Sequence, residues 1–325
     1  MIFQKLFYFI LLFVYLIASS PLYFINKNYS KIVKKYCYDY CSILYQLGFN
    51  SPIYHNGVPE TTNKIDIVTM NHVSSIDFCI FISLLKELTD KKVYVIQKKE
   101  LLYLPGFGLN QYFSGDIIIN RDFEKDINII DTQISKLDNC IIVIYPEGTR
   151  YSIKNKLKSD KFCEENNLEK FNNLLYPKMK GLYTISKILH KQNKLGNIID
   201  ISNYIQNFHN KNSYMKDILV KEMGYTFSII KTYKAEYIED YNKYKEWFLQ
   251  IWRNKNETLN NIDKYKFKSI RINNLMSGYI FILLVLVITL YLCVITKGIY
   301  FVLLLIYMYY LSYIAFKKIS KGSHF

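Results

Sequence analysis

Short apolar runs alternate with helix-like stretches between Ile65 and Tyr233, and this alternation constrains the fold more than any other feature of the chain. The clearest strand-like runs are Ile65–Met70, Val93–Gln97, Asp116–Asn120 and Cys140–Tyr145, and weaker ones are Leu174–Tyr176, Ile198–Ile201 and Tyr225–Tyr233. Strands separated by helices favour an α/β domain with a mostly parallel sheet flanked by helices. Ligands of such sheets bind beyond the carboxyl ends of the strands, so the polar residues that follow each run are candidates for a site.

The first such polar segment is Asn71–Asp77, which reads NHVSSID and directly follows Ile65–Met70. Side chains five residues apart do not meet on one helix, so His72 and Asp77 can pair only if His72 lies on a loop and Asp77 lies in the first turn of the next helix. A carboxylate beside an imidazole fixes the tautomer of the ring and favours uptake of a proton. The spacing therefore predicts a general base, His72, oriented by Asp77.

The residues after His72 fit the start of such a helix. Ser74 or Ser75 can serve as the N-cap. An apolar stripe follows at Phe78, Phe81 and Leu84. An alternative interpretation is purely structural, because Ser74-x-x-Asp77 is also a capping box and Asp77 would then only stabilise the helix start.

Two more strand-like runs end in an arginine. Gly115–Arg121 reads GDIIINR, and Cys140–Arg150 reads CIIVIYPEGTR. Gly148 lets the backbone approach a ligand closely, and a guanidinium group at a strand end can hold a phosphate through its planar fork of donors. Lys98 and Lys99 end another run and would add point charges. For each arginine the alternative is a solvated or ion-paired loop residue, and for the two lysines it is a plain exposed pair.

Three long apolar runs lie outside the alternating region. Leu6–Ile25 is long enough to span a bilayer. A cleaved signal peptide is the alternative, because Ala18-Ser19-Ser20 resembles a cleavage site. Ser277–Ile295 and Gly298–Phe316 predict a transmembrane hairpin with Gly298 at its turn, or a shallow re-entrant hairpin. Basic residues flank these runs at Lys27, Lys31, Lys34 and Lys35, at Lys264, Lys266, Lys268 and Arg271, and at Lys317, Lys318 and Lys321, against Lys297 alone at the hairpin tip. This bias places the region between the runs on the cytoplasmic side.

The predicted organisation has three parts. Residues 1–50 hold a membrane anchor and an amphipathic helix over Tyr36–Leu47, residues 51–262 hold the catalytic domain, and residues 263–325 hold the hairpin and a basic tail. Within the catalytic domain, Glu239–Asn261 predicts a helix that packs on the sheet or on the lipid interface.

The formal net charge of +15 suits an anionic membrane surface or phosphorylated ligands. Nucleic acid is disfavoured as a partner, because the chain has strong membrane signals and no nucleic-acid motif. No specific protein partner is predicted. No metal is predicted either, since His72, Asp77 and Glu147 do not form a recognised ligand spacing.

In their order along the chain, these segments resemble the glycerophospholipid acyltransferase family, in particular its lysophosphatidic acid acyltransferases. The three matching motifs are Asn71-His72…Asp77, Gly115…Ile119-Asn120-Arg121 and Pro146-Glu147-Gly148-Thr149-Arg150. The segment Lys98-Lys99-Glu100-Leu101…Pro105-Gly106-Phe107-Gly108 matches the residues that precede the family's second motif. Leu175-Tyr176-Pro177-Lys178 stands where the family has a fourth motif built on a proline. The long insert after Arg150 and the C-terminal hairpin are similar to those of the eukaryotic branch that acylates lysocardiolipin, lysophosphatidylinositol and lysophosphatidic acid.

The resemblance implies a glycerol-3-phosphate acyltransferase-like fold and a reaction. A membrane-bound enzyme would move a fatty acyl group from acyl-coenzyme A, as co-substrate and without a cofactor, to the free hydroxyl of a lysophospholipid such as lysophosphatidic acid. The alternatives are another lysophospholipid, glycerol 3-phosphate, or a non-catalytic lipid-binding protein. The protein would be an integral membrane protein with a cytosolic catalytic domain, in the endoplasmic reticulum if the source is eukaryotic.

The resemblance also implies roles for individual residues. His72 would be the base and Asp77 would orient it, while Arg121 and Arg150, with Lys98, would hold the acceptor phosphate. Glu147 would brace either an arginine or the loop. The other residues implied in substrate binding are Asn71, Gly115, Pro146, Gly148, Thr149 and Pro177.

Overall fold

The structure, a computed structural model, describes residues 2–19, 26, 28–104, 106–235, 237–270, 275–296 and 298–320. Residues 20–25 at the end of the first apolar run lie outside this set, as do Lys27, Pro105, Arg271, Lys297 and Lys321. The chain divides into two units. Unit 1 comprises Met1–Ile2, Tyr45–Val93 and Ile134–Arg271, and unit 2 comprises Phe3–Leu44, Tyr94–Gln133 and Ile272–Phe325.

Strands and helices alternate along the described residues. The strands are β1 (Ile53–Asn56), β2 (Ile65–Met70), β3 (Lys92–Lys98), β4 (Ile117–Ile119), β5 (Cys140–Ile144), β6 (Leu195–Ile205), β7 (Thr226–Tyr233) and β8 (Lys268–Ser269). The helices are α1 (Ile2–Ser19), α2 (Asn28–Ile43), α3 (Asp77–Leu88), α4 (Phe107–Phe113), α5 (Phe123–Ile134), α6 (Ile153–Glu165), α7 (Met179–Lys191), α8 (Met215–Val220), α9 (Tyr241–Asn260), α10 (Leu275–Ile295) and α11 (Ile299–Ser320).

The sheet of unit 1 has the strand order β5-β2-β6-β7-β1-β8. The pairs β5/β2, β2/β6 and β7/β1 are parallel, whereas β6/β7 and β1/β8 are antiparallel. Thr69 of β2 lies opposite Ile144 of β5, and Met70 lies opposite Ile201 of β6. The chain therefore leaves β2 and β5 at the same edge of the sheet. The predicted α/β class with a mostly parallel sheet is confirmed.

Burial explains why these runs form the centre of unit 1. All six residues of β2 are buried, which suits a parallel strand covered on both faces. Helix α9 packs against β6, and its buried side includes Phe248 and Trp252. The predicted packing of this helix on the sheet is thus confirmed.

The main error in the predicted strands is Leu174–Tyr176, which is irregular in the structure. Its backbone is bonded to side chains rather than to a strand. The Leu175 N–H donates to Glu147, the Leu175 carbonyl accepts from Trp252, and the Tyr176 N–H donates to Ser159. Two strands, β1 and β8, were not predicted, because they are short and carry polar residues.

Unit 2 contains the parallel pair β3/β4, in which Lys98 lies opposite Ile119. A small core formed by Leu102, Tyr112, Ile118 and Ile129 lies within this unit. Helices α1 and α2 are joined by a hydrogen bond of 3.1 Å from the Tyr15 hydroxyl to the Val33 carbonyl. The predicted amphipathic helix is α2, which begins earlier than predicted and ends at Ile43 in a π-helical turn, Leu44–Gly48.

The predicted membrane segments are helical where the structure describes them. Among the described residues, α1 is the helix that is long and apolar enough to cross a membrane, judged by length and composition. Helices α10 and α11 cover the two C-terminal apolar runs, and Gly298 between them has φ +81°. The hairpin and its crossing of a membrane stay predictions.

Candidate active site

His72 and Asp77 form a direct hydrogen bond at the carboxyl edge of the unit 1 sheet. The His72 Nδ1 atom lies 2.9 Å from Asp77 Oδ2. The Asp77 side chain is 1% exposed and that of His72 is 28% exposed. His72 Nε2 has no hydrogen-bond partner among the described residues. Because Asp77 accepts the proton on Nδ1, the lone pair of the neutral ring lies on Nε2, which can accept a proton from a bound molecule.

The Asp77 carboxylate also shapes the loop that carries His72. Asp77 Oδ2 accepts the Val73 N–H at 2.6 Å, and Oδ1 accepts the Ser74 N–H at 2.8 Å. The residue before helix α3 is Ile76, whose side chain makes no cap, so the predicted N-cap at Ser74 or Ser75 is wrong. Asp77 fulfils both roles that the sequence left open, since it holds the turn and contacts the imidazole.

Glu147 connects three of the predicted motifs. Its Oε2 atom accepts the His72 N–H at 3.0 Å, and its Oε1 atom accepts the Leu175 N–H at 3.2 Å. The residue is 2% exposed. Burial raises the pKa of Glu147 to about 8, while the two backbone N–H donors favour the ionised form. The sequence left open whether Glu147 braces an arginine or the loop. The structure shows that it braces the loop that carries His72.

Arg150 lies against the loop after His72. Its Nη1 atom donates to the Ser75 hydroxyl at 2.5 Å, and its guanidinium carbon is 4.9 Å from the centre of the Tyr214 ring. The Tyr151 N–H donates to the His72 carbonyl at 2.7 Å, so the two loops are joined directly. Arg150 forms no ion pair with any described residue, and its buried Nε has no hydrogen-bond partner there. This unpaired cation is available to an anionic ligand.

The remaining predicted residues of unit 1 mainly build the loops. Gly148 has φ +66°, and an added Cβ would lie 3.1 Å from Lys178 Cδ, so only glycine fits without strain. The Pro146 carbonyl accepts the Lys178 N–H, and the buried Pro177 precedes that lysine. The Thr149 hydroxyl accepts from the Asn155 amide at 3.4 Å.

Asn71 is bonded to strand β6 through both ends of its amide. Its Nδ2 atom donates to the Asn203 carbonyl at 2.9 Å, and its Oδ1 atom accepts the Asn203 N–H at 2.8 Å. Both bonds are buried, which fits a role in fixing the chain just before His72.

In unit 2 the structure places Lys98 and Arg121 at the same end of β3 and β4. Lys98 is half-buried and lies opposite Ile119, and Arg121 follows two residues later with φ +64° and an exposed side chain. Gly115, with φ +89°, precedes β4 and therefore lies at the other end of that strand, beside Tyr94.

Asp116 is a buried residue that the sequence motifs did not single out. Its carboxylate accepts from Lys34 Nζ at 2.7 Å and from the Val95 N–H at 3.0 Å. Burial raises the pKa of Asp116, and the ion pair with Lys34 opposes that shift. Lys34, predicted as one of the basic residues flanking the first apolar run, is therefore a buried ion-pair partner.

The chain is similar to known acyltransferases. The Acyltransferase family matches residues 56–181, a segment that contains every predicted site residue. Lysocardiolipin acyltransferase 1 of Gallus gallus is 24% identical over 228 residues, which cover 66% of this chain and 58% of that protein. The 1-acyl-sn-glycerol-3-phosphate acyltransferase delta of Mus musculus is 27% identical over 247 residues, which cover 71% of this chain and 64% of that protein.

The resemblance predicted from the motifs is thus confirmed. The matched regions span less than two-thirds of the length of either relative. A solved structure, the 1-acyl-sn-glycerophosphate (LPA) acyltransferase PlsC of Thermotoga maritima, aligns with a TM-score of 0.49 at 14% identity, over 80% of this chain and 95% of that chain.

Unit 1 also contains a buried ion pair that the sequence did not predict. Lys255 of α9 is 3.0 Å from Asp200 and donates to the Ile201 carbonyl at 2.7 Å. Asp200 also accepts from the Thr69 hydroxyl at 2.7 Å. Burial raises the pKa of Asp200 and lowers that of Lys255. This pair connects α9 to the end of β2 and to the middle of β6. A single lysine in a helix rich in charged residues gave no local signal of the pair.

Proposed function

We propose that the protein is an acyltransferase that moves a fatty acyl group from acyl-coenzyme A to the free hydroxyl of a lysophospholipid, with lysophosphatidic acid as the acceptor. The observation that carries this proposal is the His72–Asp77 pair, on a loop that Arg150 contacts through the Ser75 hydroxyl. The match of residues 56–181 to the Acyltransferase family supports the reaction class.

The base has a defined task in this reaction. A hydroxyl group is a poor nucleophile at neutral pH, so His72 Nε2 takes its proton as the oxygen attacks the thioester carbonyl carbon. The carbon–sulfur bond then breaks, and the imidazolium returns the proton to the leaving thiolate. Asp77 stabilises the imidazolium through Nδ1–H. A positioned base of this kind contributes typically about 10²–10⁴-fold in rate.

Phosphate binding places the hydroxyl at the base. Arg150 offers guanidinium donors next to the His72 loop for the acceptor phosphate. The role of Arg121 and Lys98 in phosphate binding stays a prediction from the sequence. The acceptor hydroxyl attacks directly, so no serine or cysteine nucleophile is required. The net charge of +15 is consistent with two anionic substrates and an anionic membrane.

A panel of acceptors tests the proposal. The full chain, purified in lipid nanodiscs, is incubated with oleoyl-coenzyme A and, separately, lysophosphatidic acid, lysophosphatidylinositol, lysocardiolipin or glycerol 3-phosphate. We expect release of free thiol together with a diacyl product, and the highest kcat/KM with lysophosphatidic acid. A different preferred acceptor would correct the substrate, and no transfer to any acceptor would overturn the proposal.

A further inference from the structure

Helix α6 is fixed to the loop that carries Arg150. The Ser152 hydroxyl caps the helix by accepting the Asn155 N–H at 3.1 Å. The Asn155 side chain then donates to the Arg150 carbonyl at 2.8 Å. Helix α6 therefore has a fixed position relative to the Arg150 backbone, and so has any surface that binds to α6.

Three apolar side chains of α6 are exposed to solvent, and two of them, Ile153 and Leu157, lie in its first two turns; the third is Phe162. Ile153 is 53% exposed and Leu157 is 65% exposed. They are four residues apart, so they form one row along the helix, while Cys163 faces the interior. Exposure of two aliphatic side chains in one row is unfavourable in water. Covering them with an apolar phase lowers the free energy.

Unpaired lysines accompany this row. Each acidic residue of α6 pairs with a lysine: Asp160 with Lys156 at 2.5 Å, Glu165 with Lys161 at 3.7 Å, and Glu164 with Lys170. Lys154 and Lys158 are exposed, and neither forms an ion pair with any described residue. They also lie four residues apart, each next in sequence to one of the two aliphatic residues. Two positive charges thus flank the apolar row.

We propose that this surface, the α6 face (Ile153, Lys154, Leu157 and Lys158), docks on the headgroup layer of an anionic lipid membrane. The aliphatic side chains would enter the boundary between headgroups and acyl chains, and the lysines would contact lipid phosphates. The surface of two aliphatic side chains is far smaller than the roughly 1,200 Å² that a stable protein–protein interface buries. The surplus of lysine further favours an anionic lipid surface over another protein.

Docking of the α6 face would bring Arg150 to the level of the headgroups. A lysophospholipid could then place its phosphate on Arg150 while its acyl chain stays in the bilayer. This consequence rests on the proposed function, whereas the docking itself does not.

An environment-sensitive fluorophore tests the docking in the full chain. In a Cys293→Ser background, in which the remaining free cysteines are buried, nitrobenzoxadiazole is attached at Leu157→Cys. The protein is placed in nanodiscs of phosphatidylcholine alone or mixed with phosphatidylserine. We expect blue-shifted emission, and quenching by headgroup spin-labelled lipid, when phosphatidylserine is present. A label at the exposed Glu257→Cys on α9 is the control and should not shift.

The lysines give the matched comparison. Each lysine near an anionic surface contributes roughly fivefold to local binding. Lys154→Gln/Lys158→Gln should therefore lower the ratio of docked to undocked probe about 25-fold, whereas Lys243→Gln/Lys245→Gln on α9 should leave it unchanged. The proposal would be overturned if the emission of the probe at position 157 changed neither with phosphatidylserine nor with the substitution of the two lysines. This holds both for the emission of a probe exposed to water and for that of a probe covered by protein.

The His72→Ala variant separates the docking from the proposed function. The probe should dock in this variant as in the wild type. Docking in a wild-type protein that transfers no acyl group would contradict only the proposed function. Acyl transfer with an undocked probe would contradict only the α6 face.

Discussion

Units 1 and 2 each bury a carboxylate next to a predicted motif, and they stabilise it by different means. Glu147 in unit 1 accepts two backbone N–H groups and forms no ion pair with a described residue. Asp116 in unit 2 accepts one N–H and pairs with Lys34. A carboxylate held by backbone donors fixes the course of a loop, whereas an ion pair fixes two helices or strands through their side chains. The loop that carries the proposed base is therefore set by main-chain geometry.

The largest effect is expected from Asp77→Asn. An amide has one acceptor oxygen for the Val73 and Ser74 N–H groups and His72 together, and it carries no charge to stabilise an imidazolium. We expect kcat to fall by about 10²–10⁴-fold. Steady-state kinetics with circular dichroism on the same preparation measures this, and an unchanged kcat would show that Asp77 only caps the helix.

Lys34→Met tests the corresponding carboxylate of unit 2. It leaves Asp116 buried without its ion-pair partner, which should cost about 3–5 kcal/mol of stability. Lys31→Met removes an exposed lysine from the same helix and should cost little. Denaturant titration of both variants makes the comparison, and equal midpoints would mean that the Lys34–Asp116 pair contributes nothing. The double variant Lys34→Met/Asp116→Asn should recover part of the loss.

Arg150→Lys tests anion binding at the unit 1 loops. The lysine keeps the charge but loses the fork of donors, including the bond to Ser75. A lost charged hydrogen bond of about 1.5–3 kcal/mol corresponds to a rise in the acceptor KM of roughly 10–100-fold. Arg253→Lys, on α9 beside Glu169, is the control and should keep the wild-type KM. A normal acceptor KM in Arg150→Lys would remove Arg150 from the site.

Glu147→Gln tests how burial affects the carboxylate of unit 1. The folded-state pKa of about 8 lies above the ordinary value of 4.5, so the folded protein binds the proton more tightly than the unfolded chain. Protonated Glu147 therefore contributes to the free energy of unfolding. This contribution is complete below about pH 4.5 and is lost as the pH rises through about 8. The free energy of unfolding should change with pH by at most about 1.4 kcal/mol per pH unit through this group. Melting temperatures across this range should fall less with pH in the Gln variant; parallel curves would show that Glu147 does not titrate there.

Local patterns were sufficient for the central strands but not for the contacts that hold the site. Ile65–Met70 is buried on both faces, so its apolar run is visible in the sequence. The spacing of His72 and Asp77 also predicted their contact, because one loop and one helix start decide it. Leu174–Tyr176 was misassigned, since its backbone partners lie far away in the chain.

The same limit applies to charged residues. Lys34 was predicted as one of the basic residues that flank the first apolar run, and nothing was predicted for Lys255. Both are buried with a carboxylate whose position depends on a strand elsewhere in the chain. Only the packed structure brings such partners together.

The kcat of His72→Ala tests the central claim most directly. The His72 N–H and carbonyl contacts with Glu147 and Tyr151 are made by the main chain, so the substitution should remove the imidazole and leave the loops in place. We predict that kcat for transfer from oleoyl-coenzyme A to lysophosphatidic acid falls by about 10²–10⁴-fold with an unchanged melting temperature. Wild-type kcat in a folded His72→Ala protein would contradict the assignment of His72 as the base.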